Sequence, residues 1–261
     1  MNKKNVQNTH DPHSSSEELV HVPVLLQEVL EYTNAQASEV VFDGTYGAGG
    51  YSRALLERVG GSGRVIATDQ DPTVHAREIN QNLPDNLTLV HANFRELEKV
   101  TEESGVEKFD VFVLDLGISS DQLADRERGI SFQYEDAPLD MRMNTSEGND
   151  LTAWGILNVW EEEEIADLLY RYADERASRK IARAIVERRE EGELDTVGDL
   201  TQAVSTVIKP FRGSNPATKT FQALRIAVNK ELEVLEDFLD KVEAYAAPGA
   251  RVVVVLSLIH I

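Results

Sequence analysis

Glycines and aspartates at the ends of apolar segments are the residues of this chain best suited to bind a small cofactor. The apolar segment 40–43 runs into the loop 44–50, which contains four glycines, and a helical pattern follows at once. Such a turn lets the backbone approach a ligand closely, while the helix N-terminus presents free N–H groups. Asp69 ends the next apolar segment, where a carboxylate can accept hydrogen bonds from ribose hydroxyls. The pattern predicts a site for an adenosine cofactor.

Two other interpretations of the same residues stay open. The NAD fingerprint G-x-G-x-x-G requires a third glycine where this chain has Ser52, and no hydride-transfer site is evident, so an NAD-dependent oxidoreductase is disfavoured. Alternatively, Asp43 and Asp69 only cap the helices that begin nearby, as single aspartates at strand ends often do.

Strand-like and helix-like segments alternate through the first half of the chain and would position these residues. Short apolar segments indicate strands at 40–43, 64–68, 87–90 and 109–114. Helical patterns lie before and between them, at 23–32, 51–59, 72–82 and 94–103. Strands that alternate with helices indicate an α/β fold with a parallel sheet.

The second half of the chain departs from this alternation. About a hundred residues after Leu116 carry helical and charged patterns with no convincing strand, which predicts an inserted helical domain. Apolar residues at spacings of three and four then predict one long helix over 218–245, ended by Pro248 and Gly249. The β-branched run 251–256 predicts another central strand.

Composition limits the classes of protein to which the chain can belong. Its 261 residues suffice for one large domain, or for one domain with an insertion. The net charge of −20 argues against non-specific nucleic-acid binding by the whole surface. The absence of cysteine excludes disulfides, iron–sulfur clusters and a thiol nucleophile. With no apolar run long enough to span a bilayer and no signal-peptide pattern, we expect a cytoplasmic protein that does not bind membranes.

Several ordered motifs extend the pattern beyond the glycine loop. They are the segments 21–26 (HVPVLL), 43–45 (DGT), 47–50 (GAGG), 115–120 (DLGISS), 127–132 (ERGISF), 138–143 (PLDMRM), 179–185 (RKIARAI) and 216–225 (PATKTFQALR). Together they resemble the RsmH (MraW) methyltransferases over about residues 20–256. The resemblance implies a class I S-adenosylmethionine-dependent methyltransferase, with a Rossmann-like parallel sheet and an inserted helical domain. It also implies N(4)-methylation of a cytidine in the decoding region of 16S ribosomal RNA.

The resemblance further implies a set of site residues. Carried onto this chain, the family's cofactor contacts are Gly49, Gly50, Tyr51, Asp69, Phe94, Asp115 and Gln122. The chain departs from the family pattern at Tyr51, Asp121 and Asn215, where histidine, proline and histidine are usual. The histidines of the N-terminal segment are scattered, so we expect no metal site.

Asp115 is the candidate catalytic residue. Methyl transfer from a sulfonium is an in-line displacement, so the protein mainly has to align donor and acceptor. The amine of cytosine is a poor nucleophile, and a carboxylate that accepts its N–H bonds would stabilise the positive charge that develops. Asp115 ends an apolar strand. It can contact the acceptor base, contact the cofactor or only cap the start of the next helix. Ser119 and Ser120 more simply begin a helix.

The segment 176–189 is the candidate RNA-facing surface. It has a net charge of +5 in an otherwise acidic protein. Four of its cations share one helical face: Arg176, Arg179, Lys180 and Arg183. They could contact phosphates of the small ribosomal subunit, or instead pair with the acids at 161–164. Four aromatics of the predicted insertion could stack on a flipped base, but core packing is the simpler interpretation for each of them: Phe132, Tyr134, Trp154 and Trp160.

The expected organisation is a disordered tail (1–20), a methyltransferase domain (21–120 and 216–261) and an inserted helical substrate-recognition domain (121–215). The family's last strand continues into SFHSLEDR and further strands, whereas here SLIHI follows Leu256, so we expect a C-terminally truncated chain with a non-native tail. An adenosyl-ligand or RNA-binding protein without turnover is therefore one alternative, and an amino-methyltransferase for DNA or another RNA is a second. The oligomeric state cannot be derived from these patterns.

Overall fold

A single parallel sheet is the centre of the molecule. The computed structural model describes residues 23–78, 82–146, 150–210 and 215–256. The strands are β1 (Val40–Asp43), β2 (Arg64–Asp69), β3 (Leu87–His91), β4 (Phe109–Leu116) and β5 (Ala246–Leu256). They pair in the order β3-β2-β1-β4-β5, and all these pairings are parallel. The predicted α/β fold is confirmed. The chain order reverses between β1 and β4, which places a ligand crevice at their carboxyl ends.

Helices connect the strands and form the middle of the chain. They are α1 (Leu26–Thr33), α2 (Gly50–Val59), α3 (Pro72–Glu78), α4 (Leu97–Ser104), α5 (Ser120–Ala124), α6 (Ala153–Val159), α7 (Glu162–Ala173), α8 (Ser178–Glu191), α9 (Val197–Val207), α10 (Thr218–Asn229) and α11 (Glu231–Tyr245). The helices predicted before and between the strands are present, and residues 79–81 of the predicted helix 72–82 lie outside the described residues. The first helix, α1, begins at Leu26 rather than at Pro23, because Leu25 adopts a left-handed backbone conformation with φ of 52°.

Apolar side chains cover both faces of the sheet. Successive residues of a strand point to opposite faces, so Val41 packs beneath α2 while Phe42 packs beneath α4 and α11. The ring of Phe42 stacks against Phe238 of α11, with centroids 6.3 Å apart. Because both faces are covered at β1, β2 and β4, these strands are largely apolar runs and their carboxyl ends are held rigidly. The strand β5 instead lies at the edge of the sheet with Val252, Val254 and Leu256 exposed, so the prediction of a central strand at 251–256 is wrong.

A separate apolar cluster joins α6 to α10. Ile156, Leu169, Ile185, Leu200 and Leu224 are all fully buried in it. Within the described part of 117–215 the structure has no strand and only one isolated bridge, as the helical pattern predicted. The division of the chain into domains stays a prediction, but α10 packs with the helices of the predicted insertion, whereas α11 packs against the sheet.

The single helix predicted over 218–245 is wrong. Lys230, with φ of 51°, separates α10 from α11. The chain turns there because the Asn229 amide donates to the Met141 carbonyl oxygen at 2.8 Å and accepts from the Met143 N–H at 2.7 Å. Both helices are amphipathic, so the apolar spacing continues across the turn and gives no local signal of it.

The predicted helix stop at Pro248 and Gly249 is also wrong, because α11 already ends at Tyr245. Both residues lie inside β5, where the pairing with β4 shifts register between Phe109 and Val111. Proline cannot donate to a strand ladder and is therefore tolerated at such an irregularity.

Three of the expectations concern residues that the structure does not describe. The tail 1–20, residues 21–22 of the first motif and the last five residues, 257–261, all lie outside the described residues. Among the residues that are described, no helix combines the length and apolarity needed to cross a membrane.

Candidate functional site

The glycine loop after β1 is fastened to the strands on both sides of it. The Gly44 N–H donates to the Val113 carbonyl oxygen of β4, and the Tyr46 N–H donates to the Thr68 carbonyl oxygen of β2, each at 2.9 Å. Gly49 ends the loop with φ of 76°, and a Cβ there would lie 2.6 Å from the Tyr46 ring. Only glycine fits this position, and α2 begins immediately after it.

Asp43 holds the loop together from inside. Its side chain is fully buried and accepts the Thr45 N–H at 3.1 Å and the Ser52 hydroxyl at 2.6 Å. Burial raises the pKa of Asp43 to about 6, and the negative charges of Asp69 and Asp115 act in the same direction. Because its oxygens are buried and bonded within the loop, Asp43 stabilises the loop.

Asp69 ends β2 beside the loop. One carboxylate oxygen accepts the Gly47 N–H at 2.8 Å, and the other accepts the Asp71 N–H at 2.9 Å. Burial raises the pKa of Asp69 above its ordinary value. Each carboxylate oxygen has two lone pairs, so both can still accept a hydrogen bond from a ribose diol. Asp69 therefore does more than cap a helix, because it also orients the loop.

Asp115 and Tyr51 come together at the carboxyl ends of the central strands. Asp115 lies near the end of β4, where its N–H donates to the Thr45 hydroxyl at 2.7 Å. The Tyr51 hydroxyl donates to the Val24 carbonyl oxygen. Burial raises the pKa of Tyr51 far above its ordinary value, and the charges of Asp115 and Asp43 add to this effect.

Phe94 follows β3 and lies against the same loop. Only 9% of it is exposed, and its ring meets Phe238 edge-on with centroids 5.7 Å apart. A Cβ at Gly44 would lie 2.8 Å from the Phe94 Cβ, so the two backbones approach closely. The structure therefore brings Phe94 to the glycine loop, although most of its ring packs in the apolar core.

Gln122 lies at the edge of the site and is held by its neighbours. Its side-chain oxygen accepts the Ser119 backbone N–H at 3.1 Å, while the Gln122 backbone N–H donates to the Ser119 hydroxyl at 3.1 Å. This is a capping box, so Ser119 begins α5 as the simpler interpretation predicted. The Gln122 amide nitrogen donates to Asp71 at 3.1 Å, which ties α5 to the loop after β2.

Asp71 and Arg128 form a buried ion pair that sequence reasoning missed. Their nearest atoms are 2.8 Å apart, and the side chains are 2% and 4% exposed. Arg128 also donates to Asp125 at 2.9 Å and to the Met143 carbonyl oxygen at 2.6 Å. Burial acts to raise the pKa of Asp71, but the hydrogen bonds from Arg128, Thr73 and Gln122 together outweigh it, so the pKa is lowered. The position of Asp71 two residues after Asp69 was the one available signal.

Some cations of the segment 176–189 are bonded to acids or to carbonyl oxygens, and others have no such partner among the described residues. Arg183 lies 3.6 Å from Glu162, Arg188 bonds Asp199 at 2.8 Å, and Arg189 donates to backbone carbonyls at the end of α6. The pairing alternative is thus correct for Arg183. Three cations are exposed and have no hydrogen-bond or ion-pair partner among the described residues: Arg176, Arg179 and Lys180.

The four aromatic candidates pack against the helical core as partly buried residues, which confirms the core interpretation: Phe132, Tyr134, Trp154 and Trp160. The Trp154 indole N–H also donates to Asp195 at 3.0 Å. In the ranges that the structure describes, no group of three or more histidine, aspartate or glutamate side chains could hold a metal ion.

Known proteins resemble this chain over most of its length. The model of the MraW methylase family matches residues 18–258. The ribosomal RNA small subunit methyltransferase H of Methylobacterium nodulans is 45% identical over 240 residues, which cover 90% of this chain and 69% of that protein. The protein of the same name from Heliobacterium mobile is 44% identical, with coverages of 91% and 77%.

A solved cyclopropane-fatty-acyl-phospholipid synthase-like protein from Lactobacillus casei aligns with a TM-score of 0.32 and 15% identity, over 79% of this chain and 84% of that one. The sheet order, the glycine loop at its switch point and the family match agree with one another. The chain belongs to the MraW methylase family.

Proposed function

We propose that this chain transfers a methyl group from S-adenosylmethionine to the N(4) amine of a cytidine in the decoding region of small-subunit ribosomal RNA. One observation carries the proposal. In a chain of the MraW methylase family, the glycine loop and Asp115 meet at the carboxyl ends of β1 and β4, joined by the bond from the Asp115 N–H to the Thr45 hydroxyl, where the sheet order creates a cleft.

The proposed cofactor residues fit the chemistry of an adenosyl group. Asp69 can accept both ribose hydroxyls, and it is fixed by the N–H groups of Gly47 and Asp71. Gly49 and Gly50 bring the backbone of the loop and the first turn of α2 close to the ligand. Phe94 and Gln122 close the sides of the cleft. The Gln122 side-chain amide is held in place by its hydrogen bond to Asp71. S-adenosylmethionine, when bound, supplies an electrophilic methyl group on a sulfonium sulfur.

Asp115 is proposed to act on the acceptor. The lone pair of the cytosine amine forms the new N–C bond while the C–S electron pair stays on sulfur, and positive charge develops on nitrogen. A carboxylate that accepts the N–H bonds of this amine stabilises that charge and then accepts one proton. Asp115 is held for this role by its own N–H bond to Thr45.

Methyl-transfer and binding experiments test this proposal together. Unmodified small subunits would be incubated with labelled S-adenosylmethionine, and the modified nucleotide would be mapped. Asp115→Asn should bind the cofactor but transfer label at least a hundredfold more slowly, the low end of what a general base contributes. Label on another nucleotide, or on free RNA or DNA in preference to subunits, contradicts the substrate. Cofactor binding by the wild-type chain without any transfer would support the binding-protein alternative.

We also propose that Arg176, Arg179 and Lys180 contact RNA phosphates. Arg179 and Lys180 lie in the first turn of α8, and Arg176 lies two residues before it. All three side chains are exposed and unpaired among the described residues, whereas Arg183 on α8 is near Glu162. Because the net charge is −20, RNA binding must depend on such a local surface and on the shape of the assembled subunit.

Charge reversal gives a matched comparison for the α8 surface. The double variant Arg179→Glu/Lys180→Glu should weaken subunit binding and reduce the slope of log K against log salt by about 1.4 to 1.8, the value for two lost phosphate contacts. Arg183→Glu is the control on the same helix, and it should change binding less because Glu162 already neutralises Arg183. An equal loss in both variants would argue against a surface formed by the unpaired cations.

A further inference from the structure

We propose that Arg53 and Arg77 are positioning residues for the loop 44–50, each fixing one carbonyl oxygen of the loop, and that the buried carboxylate of Glu78 holds both guanidinium groups. The proposal deepens the function proposed above, because it rests on this loop as the binding site of S-adenosylmethionine. None of the three residues belongs to the cofactor contacts that the family resemblance implies.

Both arginines donate to carbonyl oxygens of the loop from neighbouring helices. Arg77, on α3, donates through Nη2 to the Gly47 carbonyl oxygen at 2.5 Å. Arg53, in the first turn of α2, donates through Nη1 to the Ala48 carbonyl oxygen at 2.5 Å. Gly47 and Ala48 precede α2, so their oxygens accept no helical hydrogen bond. In the described part of the chain, the arginines are the only hydrogen-bond donors to these two oxygens.

Glu78 contacts both guanidinium groups. Its side chain is 3% exposed, with one carboxylate oxygen 3.0 Å from Arg77 Nε and the other 3.7 Å from Arg53 Nη2. This second oxygen is buried and has no hydrogen-bond partner among the described residues, so the two cations offset the cost of burying the charge. Arg53 also donates to the Tyr46 hydroxyl at 3.3 Å, and Arg77 to the exposed Asp121 at 2.9 Å. Each guanidinium is thus held by other groups while it donates to the loop.

The two bonds determine which way the peptide groups of the loop face. Gly47 and Gly49 have φ of 52° and 76°, and without a Cβ at either residue the peptide groups between them rotate easily. In a trans peptide the N–H points away from the C=O, so fixing the Gly47 oxygen also fixes the Ala48 N–H. The Gly49 N–H donates within the loop, to the Tyr46 carbonyl oxygen at 2.6 Å, whereas the Ala48 N–H has no partner among the described residues. The loop can therefore offer this donor to a ligand.

A loop that is fixed before its ligand arrives binds the ligand more tightly. The apparent Kd equals the intrinsic Kd divided by the fraction of molecules in the binding-competent conformation. When one arginine bond is lost, the carbonyl oxygen it held can turn and that fraction falls. The expected rise in Kd is about tenfold, the low end of the effect of a hydrogen bond to a charged group.

Selective labelling makes each arginine bond visible in carbonyl ¹³C resonances. In protein with carbonyl-¹³C glycine and ¹⁵N alanine, coupled signals come from two peptides, 47–48 and 249–250, and the second lies in β5 as an internal reference. The opposite labelling selects the peptide 48–49, the one Ala–Gly pair of the chain. A carbonyl carbon resonance moves upfield when its oxygen loses a hydrogen bond, so these signals report directly on Gly47 and Ala48.

The variants are chosen to remove the bonds one at a time. Arg77→Met should move the carbonyl signal of residue 47 upfield, and Arg53→Met should do the same to that of residue 48. Glu78→Gln, which is close in shape but uncharged, should move both signals. Asp121→Ala is the matched control, because it removes only the exposed partner of Arg77 and should move neither.

Cofactor binding is the second readout. Calorimetric titration with S-adenosylmethionine should give a Kd about tenfold higher in Arg77→Met and in Arg53→Met. The kcat at saturating cofactor should fall much less, because the bound cofactor itself keeps the loop in place. Asp121→Ala should change the Kd by less than about threefold, because exposed ion pairs contribute little.

A conservative variant keeps the test decisive if Arg77→Met does not fold. Arg77→Lys retains a cation beside Glu78, which preserves the neutralisation of the buried charge. Its single ammonium group cannot reproduce the three bonds that the guanidinium makes to Gly47, Glu78 and Asp121, so the signal of residue 47 should still move.

The outcomes separate this proposal from the function itself. Carbonyl signals that stay in place in the arginine variants overturn the proposal. An unchanged Kd despite moved signals also overturns it, because the bonds would then stabilise only the fold. If the wild-type chain transfers methyl groups and the arginine variants bind the cofactor equally well, the role of the arginines fails and the function stands. If the wild-type chain binds the cofactor without any transfer, and the arginine variants bind it more weakly, the function fails and the role of the arginines stands.

Discussion

Asp43→Asn should remove a pH-dependent cost of folding that the buried carboxyl imposes. The pKa of Asp43 is raised from 3.8 to about 6 because the side chain is fully buried. The unfolded chain therefore ionises at this residue near pH 3.8 and the folded chain near pH 6. Between those values the folded state binds more protons, so the free energy of unfolding falls as the pH rises. A difference of about 2 pKa units corresponds to about 3 kcal/mol.

Asparagine is close in shape and leaves the hydrogen bonds of the loop in place. Its carbonyl oxygen can accept the Thr45 N–H, and its amide can donate to the Ser52 hydroxyl oxygen, which bond the carboxylate in the wild type. The variant does not titrate at this position. The unfolding free energy of Asp43→Asn relative to wild type should therefore rise by about 3 kcal/mol from about pH 4 to about pH 7, whatever its starting value.

Urea unfolding at a series of pH values measures this difference. Titrating groups that do not interact with Asp43 affect both proteins equally, including Asp71, Asp199 and Glu39, whose pKa values are lowered and whose stabilisation is lost at more acidic pH. The difference between the two curves isolates Asp43. A difference that is constant across the range would refute the argument, because it would mean that the carboxyl does not take up its proton on folding in this window.

Three further substitutions test the packing around the site. Arg128→Met leaves the Asp71 carboxylate buried without its cation, and chemical denaturation should show a loss of about 3 to 5 kcal/mol; a loss below about 1 kcal/mol would mean that water reaches the pair. Gly129→Ala should lower the free energy of unfolding by more than about 2 kcal/mol in the same assay, because φ is 61° and a Cβ would lie 1.7 Å from the Pro138 carbonyl oxygen; wild-type stability would contradict this backbone geometry. Thr196→Ala removes the cap of α9 and should cost about 1 kcal/mol in thermal or urea unfolding, with Thr196→Ser as the control that retains the hydroxyl.

Local signals predicted the sheet and the position of the site. The central strands β1, β2 and β4 are runs of β-branched and aromatic residues that are mostly buried on both faces, so each of them stands out against the charged helices around it. The glycine loop could be identified because its backbone conformation restricts which residues fit, as at Gly49. Once the strands were known to be parallel, Asp69 and Asp115 had to lie at the same edge of the sheet.

Contacts between distant parts of the chain could not be predicted in the same way. The turn at Lys230 depends on hydrogen bonds between Asn229 and residues 141–143, and the apolar spacing of the two helices is unchanged by it. Likewise, Arg179 and Arg183 have the same charge and lie four residues apart on α8, but only Arg183 is close to an acid of α7. Pairing of this kind depends on how the helices pack, which no local pattern encodes.

The ion pair between Asp71 and Arg128 connects the proposed cofactor site to the helical cluster. Arg128 belongs to the segment that leads into the helical cluster and bonds the Met143 carbonyl oxygen, while Asp71 orients Asp69 through its backbone N–H. The same segment is tied to α10 by Asn229. The proposed ribose-binding carboxylate and the helices proposed to contact RNA are thus joined through buried, fully bonded groups rather than by a flexible linker. A methyl donor bound at Asp69 and RNA phosphates bound near α8 would be held at a fixed separation, which favours the alignment of donor and acceptor that an in-line displacement requires.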